Sequence, residues 1–86
     1  MTRSVFSERY RALRCILVQT REKKGLTQAE VAAKLRRPQS FVSKYESGER
    51  RLDVVEFLEV AAALGTNGES ILRELEGKYS IRRTSQ

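Results

Sequence analysis

The sequence predicts a small all-α protein made of five short helices. Apolar residues recur at spacings of three and four along most of the chain, as they do on one face of a helix. Glycines and cap-type residues divide these stretches, and no alternating pattern is long enough to form a sheet. With 86 residues, the chain has the size of a single domain with one small core.

The first helix is predicted over residues 7–24, with an apolar stripe of Phe6, Tyr10, Leu13 and Leu17. Ser7 is a suitable N-cap, and Gly25 supplies a permissive stop after two lysines. Cys15 lies on a second, weaker apolar edge with Val18. We expect Cys15 to belong to the margin of the core, and a redox or interface role is the alternative.

Two shorter helices follow, separated by a proline. Thr27 and Glu30 have the spacing of a capping box, which starts the second helix, predicted over residues 27–35. Pro38 cannot continue a helix but suits the first turn of the next one, predicted over residues 39–47. The buried stripe of this third helix is Phe41, Val42 and Tyr45. A binder of single strands would expose several aromatic rings on a platform, so we expect these rings in the core instead.

The last two helices are marked by the same kinds of signal. Asp53 and Glu56 form a second box that opens helix four, which ends at Gly65. Thr66 with Glu69 is predicted to open helix five, which is expected to end at Gly77. This acidic and apolar helix either completes the core or offers a surface for self-association.

The domain is therefore predicted over residues 7–77, with an N-terminal extension at residues 1–6 and a basic, flexible tail at residues 78–86. Charge is segregated along the chain. Residues 34–51 hold six basic and two acidic side chains, a net +4, whereas residues 52–77 hold one basic and six acidic side chains, a net −5. Such segregation favours a polyanionic partner for the basic part.

Composition excludes several classes of site. One cysteine and no histidine leave too few ligands for a structural zinc ion and allow no internal disulfide. No nucleophile–base pair or metal cluster can be assembled, so we expect neither an enzyme nor a cofactor. The uncharged run over residues 15–20 is far too short to span a bilayer, and no segment resembles a signal peptide. We therefore expect a soluble, cytoplasmic protein without membrane contact.

The second and third helices have the lengths and the tight junction of a helix-turn-helix, a motif whose second helix enters the DNA major groove. The sequence GLTQAEVA at residues 25–32, Leu35, QSFVSKYESG at residues 39–48 and the pair Leu64-Gly65 resemble the lambda-repressor and Cro type of regulator, the Xre family. The resemblance extends over about residues 13–75. It implies a five-helix, lambda-repressor-like fold that binds double-stranded DNA.

The resemblance also implies roles for individual residues. Gln28 matches a position that contacts phosphate and braces the first side chain of the helix that enters the major groove. Arg21 and Glu46 match a structural ion pair between helices. The positions expected to read bases are Gln39, Ser40, Ser43 and Lys44, and an ordinary solvated helix face is the alternative. The positions expected to contact phosphate are Thr27, Gln28, Arg36, Arg37, Arg50 and Arg51, of which the last two could also be a simple polar loop.

One departure from the family concerns the turn between the second and third helices. The family usually has glycine there, because a left-handed backbone suits a residue without Cβ. In this chain the position is Arg36. Either the arginine adopts the left-handed conformation at a cost of roughly 1 kcal/mol, or the turn has a different shape.

These observations predict a sequence-specific transcriptional repressor that binds as a homodimer to two half-sites about one helical turn apart. In this family the end of the domain that carries helix five often forms the dimer. The alternative is an adaptor, such as an antitoxin, whose main role is to bind a partner protein.

Overall fold

The computed structural model describes the backbone of residues 7–84 and the side chains of residues 7–77. Over this range the chain forms five helices and no strand, which confirms the predicted all-α fold. None of these helices combines the length and the apolar composition that crossing a bilayer requires. The helices are α1 Glu8–Lys23, α2 Gln28–Leu35, α3 Gln39–Ser47, α4 Val54–Ala63 and α5 Gly68–Thr84.

The core is shared by all five helices. Phe41 and Tyr45 of α3 are both buried and meet edge to face, with ring centroids 5.5 Å apart, so their predicted place in the core is confirmed. Each large side chain that leaves water in this way contributes roughly 1.5–3 kcal/mol. The buried residues are Ile16, Leu17, Val31, Ala32, Phe41, Val42, Tyr45, Phe57, Val60, Ala61, Leu64 and Ile71.

The predicted starts of the first four helices agree with the structure. Ser7 caps α1, because its hydroxyl accepts from the Tyr10 amide at 3.1 Å. Thr27 and Glu30 make both bonds of a capping box, at 2.8 and 3.0 Å. The second box, ahead of α4, likewise has bonds of 3.0 and 2.7 Å. These caps satisfy amides that have no partner within their own helix.

The prediction for the start of α5 is wrong by one residue. Asn67 caps this helix, since its side-chain oxygen accepts from the Ser70 amide at 2.8 Å. Thr66 instead completes the end of α4: Gly65 is left-handed (φ 78°), and the Thr66 amide donates to the Ala61 carbonyl at 3.0 Å. A residue that terminates one helix in this way is not available to cap the next.

Two further predictions in the outer parts of the fold are corrected. Helix α5 continues through Gly77 to Thr84, because this glycine does not adopt the left-handed conformation that ends a helix. Cys15 is exposed, so it does not belong to the core. Its neighbour Ile16 is fully buried instead. Phe6, which was expected on the apolar stripe of α1, lies outside the described residues.

Candidate nucleic-acid interface

Helices α2 and α3 are joined by a tight left-handed turn. Arg36 has φ 58° and ψ 44°, and among residues 7–84 it is the one residue other than glycine with positive φ. The Arg36 amide donates to the Ala33 carbonyl at 3.1 Å, and the Arg37 amide donates to the Ala32 carbonyl at 3.0 Å. The turn therefore has the shape that glycine would give it, and arginine accepts a backbone cost of about 1–2 kcal/mol.

One face of α3 is available to a ligand. Its opposite face is fixed in the core by Phe41, Val42 and Tyr45. An α-helix with its side chains is about 10–12 Å across, so α3 has the diameter that a major groove about 12 Å wide admits. The predicted base-reading residues all lie on the exposed face: Gln39, Ser40, Ser43 and Lys44.

A hydrogen-bonded network fixes α3 against α1 and α2. The Nε and Nη2 atoms of Arg21 donate to the Glu46 carboxylate at 2.7 and 3.1 Å, and its Nη1 donates to the Leu26 carbonyl at 2.8 Å. The two side chains are only 14% and 7% exposed. The hydrogen bond to Glu46 raises the pKa of Arg21 above its ordinary value. Arg21 and Glu46 thus make the interhelical contact that the resemblance implied.

Gln28 extends this network to the first side chain of α3. Its Nε2 donates to Glu46 Oε1 at 2.8 Å, and its Oε1 accepts from Gln39 Nε2 at 3.5 Å. The second bond is long and therefore weak. Gln39 is thus oriented by α2 in the free protein but can be drawn away by a better partner.

Arg14 is a further support of α3 that sequence reasoning missed. Its Nη1 donates to the Glu46 carbonyl at 3.0 Å, next to the end of the helix at Gly48. A Cβ at Gly48 would lie 2.8 Å from the Arg14 Cζ, so the absence of a side chain permits this approach. A cation at a helix C-terminus interacts favourably with the helix dipole. The contact joins residues 32 positions apart, and no local pattern in the sequence signals it.

Apart from Gln28, the residues expected to contact phosphate fall into two groups. Arg36 is exposed at the turn, and Thr27 is exposed at the start of α2. Arg51 is also exposed, with its guanidinium carbon 4.1 Å from the centroid of the Tyr10 ring. These three side chains lie at the protein surface.

Arg37 and Arg50 form the second group, because both lie against carboxylates of α4. Arg50 makes a bidentate pair with Glu56 at 2.9 and 2.7 Å, whereas Arg37 lies 3.9 Å from Glu56 and 3.8 Å from Glu59. Both guanidiniums stack on the ring of Phe41, at 4.4 and 4.9 Å from its centroid. Chiefly through the hydrogen bonds from Arg50, the pKa of Glu56 falls to about 2. These two arginines, predicted to contact phosphate, thus already have carboxylate partners.

The described residues contain no group of three side chains that could hold a metal ion.

Three comparisons bear on the site. A family model described as helix-turn-helix matches residues 17–71, which include all of α2, α3 and α4. No curated protein matches the chain.

Two solved structures are similar to this chain over most of its length. One is an XRE-family like protein from Pseudomonas syringae pv. tomato str. DC3000, with 50% sequence identity and a TM-score of 0.79 over 81% of this chain and 85% of the other. The second is the clp gene regulator ClgR from C. glutamicum, with 27% identity and a TM-score of 0.73 over 85% of this chain and 95% of the other.

Proposed function

The chain belongs to the Xre family of helix-turn-helix DNA-binding regulators, and we propose that it is a sequence-specific repressor that inserts α3 into the major groove. The observation that carries this proposal is the exposed polar face of α3, held in a fixed orientation by the left-handed turn and the Arg21–Glu46 network. A rigid helix with short hydrogen-bonding side chains is suited to contact base edges.

The side chains on this face match the chemistry of base edges in the major groove. An amide such as that of Gln39 pairs with N6 and N7 of adenine, and the Lys44 ammonium prefers O6 and N7 of guanine. Ser40 and Ser43 can donate to or accept from either kind of partner. When Gln39 turns to a base, it gives up only its 3.5 Å hydrogen bond to Gln28. Base contact therefore costs the free protein little.

Phosphate contact is proposed for four residues on the two sides of α3. Thr27 and Gln28 lie at the start of α2, where the helix N-terminus favours an anion. Arg36 at the turn and Arg51 after α3 supply positive charge. Arg37 and Arg50 are left out of this set, because their guanidiniums already pair with carboxylates.

We also propose that two copies associate through an apolar patch on α4 and α5. The large apolar side chains most exposed among the described residues are all on these two helices, and their exposure ranges from 46% to 73%. Large apolar side chains exposed on two helices that pack together favour an interaction site there. The patch consists of Val54, Val55, Leu58 and Leu72.

Selection of bound sequences from a random DNA pool tests the proposal. At moderate salt we expect one enriched motif made of two symmetric half-sites about one helical turn apart. A pool that shows no enriched motif would count decisively against sequence-specific binding. Placing the selected site over a reporter promoter then tests repression: expression should fall, and a rise would contradict that part of the proposal.

A further inference from the structure

Glu56 lies between the two arginines that stack on Phe41. Its carboxylate receives both arms of the Arg50 guanidinium and also accepts the Asp53 amide at 3.0 Å in the capping box of α4. Arg37 approaches the same carboxylate from the turn that precedes α3. One acidic side chain therefore pairs with Arg50 after α3 and lies near Arg37 before it, and Arg37 also lies 3.8 Å from Glu59.

These cations lie close to the proposed DNA-reading surface. Both guanidiniums stack on Phe41, on the buried side of the first turn of α3, and Arg37 lies two residues before Gln39 in the chain. They are partly exposed, with 36% of the Arg37 and 40% of the Arg50 side chain accessible. Without an internal partner, arginines in this position would be within reach of the phosphates that border the groove.

It is unfavourable for Arg50 to leave Glu56 and bind a DNA phosphate instead. The Glu56 side chain is only 12% exposed, so water cannot fully replace a departing guanidinium. Loss of Arg50 would break two short charge-assisted bonds to a carboxylate that is largely buried. The ordinary pKa of a glutamate is well below 7, and that of Glu56 is lower still, so the carboxylate remains charged at neutral pH.

We propose that Glu56 withholds Arg37 and Arg50 from DNA phosphates and so lowers the sequence-independent part of the DNA affinity. This inference rests on the proposed DNA-binding function. Phosphate contacts carry no sequence information and supply nearly all of the non-specific affinity. Two fewer such contacts lower the affinity for random DNA without removing a base contact from α3.

Glu56→Gln tests this directly, because glutamine can still accept the Asp53 amide in a capping box while it loses the charge that holds the arginines. For random-sequence duplex, the slope of log affinity against log salt should steepen by about 0.9 for each released arginine. Affinity at 0.15 M salt should rise roughly fivefold for each arginine by the same relation. Glu69→Gln is the matched control: it changes the net charge equally at an exposed pair with Arg73 on α5, and its slope should equal that of the wild type.

A second variant tests the proposal even if Glu56→Gln is poorly folded. In the wild-type background, Arg37→Gln removes the ion-pair contacts of 3.8 and 3.9 Å and the stack on Phe41, and it should leave the salt slope unchanged. In the Glu56→Gln background, the same change should make the slope shallower by about 0.9. A wild-type background in which Arg37→Gln already lowers the slope by that amount would overturn the proposal, as would a folded Glu56→Gln protein with the wild-type slope.

The outcome for Glu56 is separable from that for the proposed function. The salt slope on random duplex reports phosphate contacts alone, whereas motif enrichment reports base contacts. A wild-type protein that yields no motif but shows the expected slopes would refute sequence-specific regulation and retain the role of Glu56. A wild-type protein with no salt-dependent affinity for duplex DNA would overturn both.

Discussion

Replacement of Arg36 by glycine should stabilise the fold and weaken DNA binding at the same time. A residue with a Cβ pays about 1–2 kcal/mol in the left-handed conformation that Arg36 adopts. Glycine avoids that cost, but it also gives the unfolded chain more conformational entropy, which lowers the free energy of unfolding by about 0.4–1 kcal/mol. The mid-values of the two ranges differ by about 0.8 kcal/mol in favour of glycine, which corresponds to a rise in Tm of about 3–6 °C for a domain of this size.

The effect on DNA binding has the opposite sign. Loss of the exposed guanidinium removes one proposed phosphate contact, so the salt slope should become shallower by about 0.9 and affinity at 0.15 M salt should fall about fivefold. Arg36→Ala is the control that separates the two effects, because alanine loses the charge but keeps the Cβ and its strain.

Thermal unfolding followed by circular dichroism and DNA titrations between 50 and 200 mM salt measure the two effects. Arg36→Gly should melt above Arg36→Ala, while both variants share the same shallower slope. Equal melting temperatures for the two variants would refute the reasoning about backbone strain. An unchanged slope in both would refute the phosphate contact.

Three other perturbations have expected outcomes. Glu46→Gln leaves the Arg21 guanidinium, 14% exposed, without its counter-charge and should cost about 2–4 kcal/mol in urea unfolding, whereas an effect below about 0.5 kcal/mol would contradict the role of the pair. The pKa of Glu56 in the folded protein is about 2, below the ordinary 4.5, so its stabilising contribution is present above pH 4.5 and should be lost as pH falls toward 2. The Glu56→Gln protein should lack this loss of stability in acid unfolding. Identical acid unfolding curves for the variant and the wild type would contradict the contribution of Glu56. Leu72→Lys, at a side chain 46% exposed, should halve the mass in sedimentation while unfolding changes by less than about 1 kcal/mol, and an unchanged dimer would exclude the patch on α5.

The parts of the fold that were predictable from sequence are those set by nearby residues. The capping boxes at Thr27 and Asp53 join residues three positions apart, so the spacing alone identifies them. The boundaries of α3 follow from Pro38 and Gly48 for the same reason. Where two cap-type residues stand side by side, as at Thr66 and Asn67, the pattern does not decide between them. That choice depends on how α4 ends.

The parts that were not predictable depend on contacts between distant elements. Arg36 and Arg37 are adjacent and chemically identical, yet the first is exposed and the second stacks on Phe41 and approaches Glu56. Their difference arises from the left-handed turn and from the position of α4, neither of which is visible in a local pattern. The capping of α3 by Arg14 was missed for the same reason.

The central claim, that α3 reads base pairs through its exposed face, is tested most directly by an affinity matrix. The wild type and Gln39→Ala are each titrated against every single base-pair change in the selected operator, with Arg51→Gln as the phosphate control. Gln39→Ala should remove a preference of about 1–3 kcal/mol at one base pair of each half-site, while Arg51→Gln weakens every sequence alike. A uniform loss of affinity in both variants would contradict base reading by α3.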